Sequence, residues 1–186
     1  MKLPRSNSRE KILDAAADVA AEAGPGSLSL EAVALRAGVS KGGLLYNFPT
    51  KAKLMQGLVE RYLSEFEQAL ENARANCTNG ENLLSIYIRL AAMECEGTKP
   101  SASWIFSAIA EDPDFLTPIK AFRQALFQRL KAETPNTKAL LVCYLAIEGM
   151  RSMNLFDSHI LTDAERETLV ESLLAVAEPQ REPALH

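Results

Sequence analysis

Histidine and cysteine are scarce in this chain. Its two histidines, His159 and His186, and its three cysteines, Cys77, Cys95 and Cys143, are widely spaced and form no CxxC pair. A metal site built from Cys and His is therefore not expected, and buried free thiols in a reducing cytosol are the default reading. Long hydrophobic runs are missing too. No apolar stretch approaches the ~20 residues of a membrane span, and the opening MKLPRSNSREK lacks the apolar core of a signal peptide. The expectation is a cytoplasmic protein with no membrane partner. Catalytic signatures are equally absent: there is no G-x-S-x-G, no phosphate loop and no Cys–His pairing. Glu111, Asp112 and Asp114 cluster, but they flank Pro113 at a helix start, where the helix dipole favours acids. The chain reads as a non-enzyme that needs no cofactor.

Charge is present but unevenly divided. The net charge is −4 over 186 residues. Through Tyr62 there are nine Lys/Arg against six Asp/Glu; from Leu63 onward there are eleven against eighteen. A basic first third on an acidic remainder suggests a polyanionic partner for that third.

Apolar residues recur at helical spacing nearly throughout, and no segment alternates as a strand would. The first helix is expected over Ser8–Ala23, with Asn7 and Glu10 as a capping box and Ile12, Ala16, Val19, Ala20 and Ala23 on one face. Gly24-Pro25-Gly26 ends it. A second helix follows the N-cap Ser29 and stops at Gly38. Ser40 caps a short third helix ending near Phe48-Pro49, and Thr50 caps a fourth over Lys51–Ala75. Further helices are expected at Glu81–Glu96, Ser103–Glu111, Pro113–Ala132, Thr137–Met153 and Thr162–Ala177, with a break at Gly97 to Ser101 and a frayed tail from Glu178. Thr162 and Glu165 read as another capping box, and Thr137–Met153 is apolar on nearly all sides, the mark of burial or a subunit interface.

The segment SLEAVALRAGVSKGGLLYNFPTKAK, Ser29 to Lys53, carries the functional signal. Ala34 is small where the third helix crosses the second. Gly38 permits the tight reversal between them, and Val39 and Leu44 fill the wedge beneath. That spacing is a helix-turn-helix, whose second helix enters the DNA major groove by its N-terminal end. Ser40, Lys41, Gly42, Gly43, Tyr46 and Asn47 remain on the outside. Each glycine sacrifices about 1 kcal/mol of helix stability relative to alanine, which is explained if the backbone must approach base edges or phosphates. Lysine can read guanine or bind phosphate, and a tyrosine hydroxyl can bind phosphate. Lys51 and Lys53 occupy the first turn of the fourth helix, where a cation is disfavoured unless a phosphate docks there. Ser29, at the start of the second helix, completes the candidate DNA contacts, and Arg5, Arg9 and Lys11 add non-specific attraction.

GVSKGGLLYNFPTKAKL, Gly38 to Leu54, resembles the TetR (tetracycline-repressor-like) family of bacterial transcriptional regulators. The family pattern is a helix-turn-helix with an aromatic-rich end followed by Phe-Pro-Ser/Thr-Lys-x-x-Leu, and the specific match covers about residues 9–55. The resemblance implies base or phosphate contacts from Lys41, Gly42, Gly43 and Tyr46, and a phosphate contact from Lys51. Leu45 stands where many members have tyrosine, and Asn47 where histidine is common. The resemblance also implies a ligand pocket in a C-terminal bundle and a dimer built from the last two helices.

The expected fold is all-α with about nine helices: a three-helix DNA-binding domain over residues 1–50 and a ligand-sensing, dimerising bundle over residues 51–186. Candidate ligand residues are Tyr87, Met93, Trp104, Phe106, Phe122, Cys143 and Met150. Glu94 and Glu148 either orient a cationic effector or face water. Candidate interface residues are Leu140, Leu141, Tyr144, Ile147, Leu155, Leu169, Leu173 and Val176. The expected partners are double-stranded operator DNA, a second copy of the chain, and a small apolar or amphipathic effector. The expected function is a ligand-responsive repressor that reads a near-palindromic site as a dimer; the alternative is an activator, or a regulator without an effector.

Overall fold

The structure is a computed structural model that describes residues 6–23, 28–77, 80–95, 109–110, 112–155 and 160–178. All regular structure among these residues is helical: α1 (Ser6–Ala23), α2 (Leu30–Ala37), α3 (Lys41–Asn47), α4 (Lys51–Ala75), α5 (Leu83–Cys95), a 3₁₀ turn (Pro113–Leu116), α6 (Thr117–Glu133), α7 (Thr137–Leu155) and α8 (Asp163–Ala177). The expected breaks at Gly24-Pro25-Gly26 and Gly97 to Ser101, nearly all of the expected Ser103–Glu111 helix, and the tail beyond Glu178 lie outside the described residues.

Local signals explain most helix starts. Ser29 Oγ accepts from the Ala32 N–H at 3.1 Å, Ser40 Oγ from Gly43 at 3.1 Å and Thr50 Oγ1 from Lys53 at 3.1 Å, so each satisfies an N–H that the helix itself leaves unpaired. Thr162 and Glu165 form the reciprocal capping box at α8. Gly38 has φ 65°, and its N–H and that of Val39 close the end of α2. Three expectations shift. α1 already begins at Ser6, so Asn7 lies within the helix and is not its cap. α5 begins two residues later than expected, because Asn82 Oδ1 accepts from the Ser85 N–H at 2.9 Å and sets the start. Pro113 opens a 3₁₀ turn capped by Asp112, and α6 follows it from Thr117.

The chain forms two compact units: Met1–Glu65 with Thr98–Phe122, and Phe66–Gly97 with Arg123–His186. In the first, α1 packs on α2 and α2 on α3. Its core joins Ile12, Leu13, Ala16 and Val19 of α1 to Val33, Ala34, Leu44, Phe48, Leu54, Met55 and Phe115. Gly57 permits a close approach in that core. A Cβ there would lie 2.7 Å from Phe48 Cε1 and 3.3 Å from Leu13 Cδ2, so the glycine in mid-α4 is a packing requirement. In the second unit α5, α7 and α8 pack on one another, with Leu84, Tyr87, Ile88, Leu140, Cys143 and Ile147 fully buried.

Candidate nucleic-acid interface

Leu44 and Phe48 anchor α3 from beneath, at 0% and 4% exposure. The residues above them are open: Ser40, Lys41 and Gly42 are exposed, Tyr46 is 77% exposed, and Gly43 and Asn47 are half-buried. A side chain at Gly42 would meet nothing within 4 Å, whereas one at Gly43 would lie 3.2 Å from the Ser40 hydroxyl that caps the helix. Nothing in the chain opposes a side chain at Gly42, and at Gly43 only the Ser40 hydroxyl would have to yield by a few tenths of an ångström. Asn47 Nδ2 donates to the Gly43 carbonyl at 2.9 Å, so the amide that stands in for the commoner histidine is engaged with its own helix. Leu45 is half-buried, which leaves Tyr46 as the exposed tyrosine of the pair.

The cations near α3 differ in their surroundings. Lys41 Nζ lies 2.7 Å from Glu31 Oε1 on α2, with both side chains about two-thirds exposed. The lysine hydrogen bond holds the Glu31 carboxyl below its ordinary range. Lys53 Nζ lies 2.8 Å from Asp112 Oδ2 and 2.9 Å from Gln56 Oε1. Each partner of that ion pair stabilises the other's charge, raising the lysine pKa and lowering that of the aspartate. Lys51, half-buried at the start of α4, has no carboxylate partner among the described residues, so the unpaired positive start of α4 is at Lys51. Arg9 stacks over the Phe48 ring at 5.3 Å and pairs with Glu60, which ties α1 to α4. Arg5 lies outside the described residues.

In the second unit the sequence candidates separate. Tyr87, Cys143 and Met150 are each buried there, the Cys143 thiol donating to the Leu173 carbonyl at 3.5 Å. Burial raises the pKa of that thiol and of the Tyr87 phenol. Met93 points the other way, 66% exposed on an open groove with Ala73, Ile86 and Leu90, because α5 turns its opposite face to the core. Phe122 is half-buried and belongs to the first unit. Trp104 and Phe106 lie outside the described residues.

A polar cluster, unanticipated from the sequence as a unit, lies beside Tyr87. Arg151 spans Glu94 at 2.7 Å and Glu148 at 3.2 Å, its guanidinium 4.6 Å above the Phe66 ring; Glu148 also takes Arg123 at 2.9 Å and the Tyr87 hydroxyl at 3.2 Å. Glu94 and Glu148 are 20% and 14% exposed, so neither simply faces water. Glu148 and Arg151 are an i,i+3 pair on α7, but Glu94, Arg123 and Tyr87 reach them from other helices, which periodicity cannot align.

The interface candidates divide in the same way. Leu140, Ile147 and Leu173 are at most 4% exposed, facing inward within the chain, and Tyr144 stacks on Tyr87 and meets Phe127 edge-on. Leu169 is half-buried, and the side chain of Leu155 is outside the described set. Leu141 and Val176 are open, and so are Val142 and Leu145, two α7 residues not expected beforehand. α7 thus buries Leu140, Cys143, Ile147 and Met150 on one side while keeping Leu141, Val142 and Leu145 in solvent on another.

No helix among the described residues is long and apolar enough to cross a membrane. Residues 12–58 match the family of bacterial regulatory proteins, tetR family, and residues 81–178 match the tetracyclin repressor-like, C-terminal domain. The chain is 26% identical over 176 residues to the HTH-type transcriptional repressor BepR of Brucella suis biovar 1 (strain 1330), a match covering 94% of this chain and 79% of that protein. Its fold is similar to that of the multidrug binding protein EbrR complexed with ethidium, at TM-score 0.65 and 20% identity, covering 92% of this chain and 99% of that one. The fatty acid degradation regulator FadR from Bacillus halodurans is also similar, at TM-score 0.61 and 16% identity over 98% of this chain and 100% of that one. The helix-turn-helix and the helical body answer to two halves of one protein type, and the chain belongs to the TetR family of bacterial regulatory proteins.

Proposed function

We propose that this regulator is a ligand-responsive repressor that binds a near-palindromic operator as a dimer, in the cytoplasm. The observation that carries the DNA reading is the α3 surface: Lys41, Gly42 and Tyr46 stand open above a fully anchored helix. α3 is only about two turns long, and a single copy offers few contacts. Two copies related by a two-fold axis, with their reading helices about 34–36 Å apart, multiply them. Ser29, Ser40, Lys41, Gly42, Gly43, Tyr46, Asn47 and Lys51 are the proposed contacts, Asn47 through whatever its amide retains beyond the Gly43 carbonyl. The open apolar strip of Leu141, Val142 and Leu145, with Val176, supplies surface for the second copy.

The body holds the effector in this reading, with Tyr87, Cys143 and Met150 as its apolar wall. Similarity to proteins described as binding multiple drugs or regulating fatty acid degradation supports a small apolar or amphipathic molecule. That molecule weakens DNA binding only to the extent that it prefers one arrangement of the dimer over another. Selection of bound fragments from a random DNA pool tests binding, symmetry and spacing together. A half-site repeated in inverted orientation at one helical turn is the expected result. Recovery of unselected sequence, or a salt-independent affinity, overturns the proposal.

A further inference from the structure

Lys41 is the basic residue at the reading end of α3, and the structure places a carboxylate against it. A negative charge 2.7 Å from that ammonium cannot raise affinity for a polyanion. The pair also contributes little to folding, since both side chains are about two-thirds exposed. Glu31 is well placed without it, in the first turn of α2 where the helix dipole favours an acid. Lys41, in the first turn of α3, is poorly placed, because the dipole there disfavours a cation. The acid therefore holds a lysine where helix electrostatics resist it, on the face that meets DNA.

We propose that Glu31 is a specificity-determining residue that acts through Lys41. An unrestrained lysine carries a compact charge on a flexible four-carbon stem and satisfies itself on any phosphate, whatever the sequence. Held by Glu31, its charge is cancelled at a distance by the carboxylate, while two of its three N–H donors stay free and are held in one place. The O6 and N7 atoms of guanine offer a fixed acceptor pair in the major groove that such positioned donors can meet, whereas attraction to phosphates follows net charge, which the carboxylate removes. Glu31 thus lowers affinity for random DNA more than affinity for the operator and widens the gap between them. This rests on the DNA reading proposed above.

The test compares wild type, Glu31→Gln, Lys41→Met and the double variant by fluorescence anisotropy across a salt series, on the selected operator and on a random duplex of equal length. Glu31→Gln is expected to tighten random-duplex binding by about three- to tenfold and steepen its log–log salt slope by about one. Operator affinity moves by less than about twofold, so the specificity ratio falls. In the Lys41→Met background the same Glu31 substitution is expected to leave the ratio unchanged within about twofold. Equal tightening on both duplexes, an unaltered ratio, or an effect that persists without Lys41 would each overturn the inference, because Glu31 would then act as a diffuse surface charge. If wild type shows no salt-dependent binding to either duplex, the DNA reading itself fails and takes this inference with it; the two failures are thereby distinguished.

Discussion

Two glycines in the first unit offer opposite outcomes for one substitution. At Gly42 a methyl would enter open space, with no atom of the chain within 4 Å. Alanine there removes the helix penalty of glycine, a gain of up to about 1 kcal/mol, and for a chain of this size that raises Tm by about 2–4 °C. At Gly57 the same propensity gain is overtaken. The new carbon would sit 2.7 Å from Phe48 Cε1, roughly 0.8 Å inside the ~3.5 Å at which two carbons rest. Phe48 has little room to retreat: it is 4% exposed and lies beneath the Arg9 guanidinium. Overpacking of this kind costs about 1–3 kcal/mol, so Gly57→Ala is expected to lose up to about 2 kcal/mol net. Thermal unfolding followed by far-UV circular dichroism reads both changes. DNA binding adds the second half of the argument. If the Gly42 backbone approaches the duplex, its methyl fills space the DNA needs, and operator affinity falls about tenfold, or about 1.4 kcal/mol, in a protein that is as stable as wild type or more so. A Gly42→Ala variant that binds like wild type would refute the close-approach explanation; a Gly57→Ala variant that gains stability would refute the account of the α1–α4 core.

Other consequences are open to direct measurement. Lys51→Ala should weaken all duplexes about equally and reduce the salt slope by about one, whereas Lys41→Ala should also relax sequence preference; gel-shift titrations on operator and mutated operators separate the two, and identical profiles would contradict the division. Leu145→Glu should convert a dimer to a monomer in sedimentation velocity without changing helix content, since Leu145 is 65% exposed and contributes little to the chain's own core; a dimer that persists would move the interface elsewhere. Thr162→Ala should lower Tm by about 2–4 °C. The Glu165 pKa lies below its ordinary value, through hydrogen bonds from the Thr162 N–H and hydroxyl. Its share of stability is therefore present above the ordinary carboxylate range and lost as pH falls through the lowered value. A wild-type acid limb no different from that of Glu165→Gln would exclude the link.

The first unit was legible in the sequence because its signals are local. Ser29, Ser40 and Thr50 each announce a helix start within three residues, and Gly38 announces a stop through its positive φ. The exposed α3 surface followed from the same register. What escaped depends on which distant helix covers a side chain. Gly57 looks like a weak point in α4 until Phe48 is placed against it. α7 looks apolar on all sides; only its neighbours decide that Leu140 and Ile147 are core while Leu145 is surface. The Arg151 cluster adds side chains from α4, α5 and α6 to one i,i+3 pair on α7, and only that pair has a period in sequence. Asn82 and Asn136, whose side-chain oxygens accept at the starts of α5 and α7, are local signals of the same kind as Ser29 and Ser40.

The anchoring of α3 from below has an evolutionary corollary. Ser40, Gly43, Leu44, Asn47 and Phe48 hold the short helix together and fasten it down; Lys41, Gly42 and Tyr46 carry none of that duty beyond the Lys41 tie to Glu31. Mutational drift at those three positions is thus nearly free of folding penalties. A duplicated copy could acquire a new target site by changing them while the scaffold stayed the same, and a library randomised there should yield mostly folded proteins with divergent binding tastes.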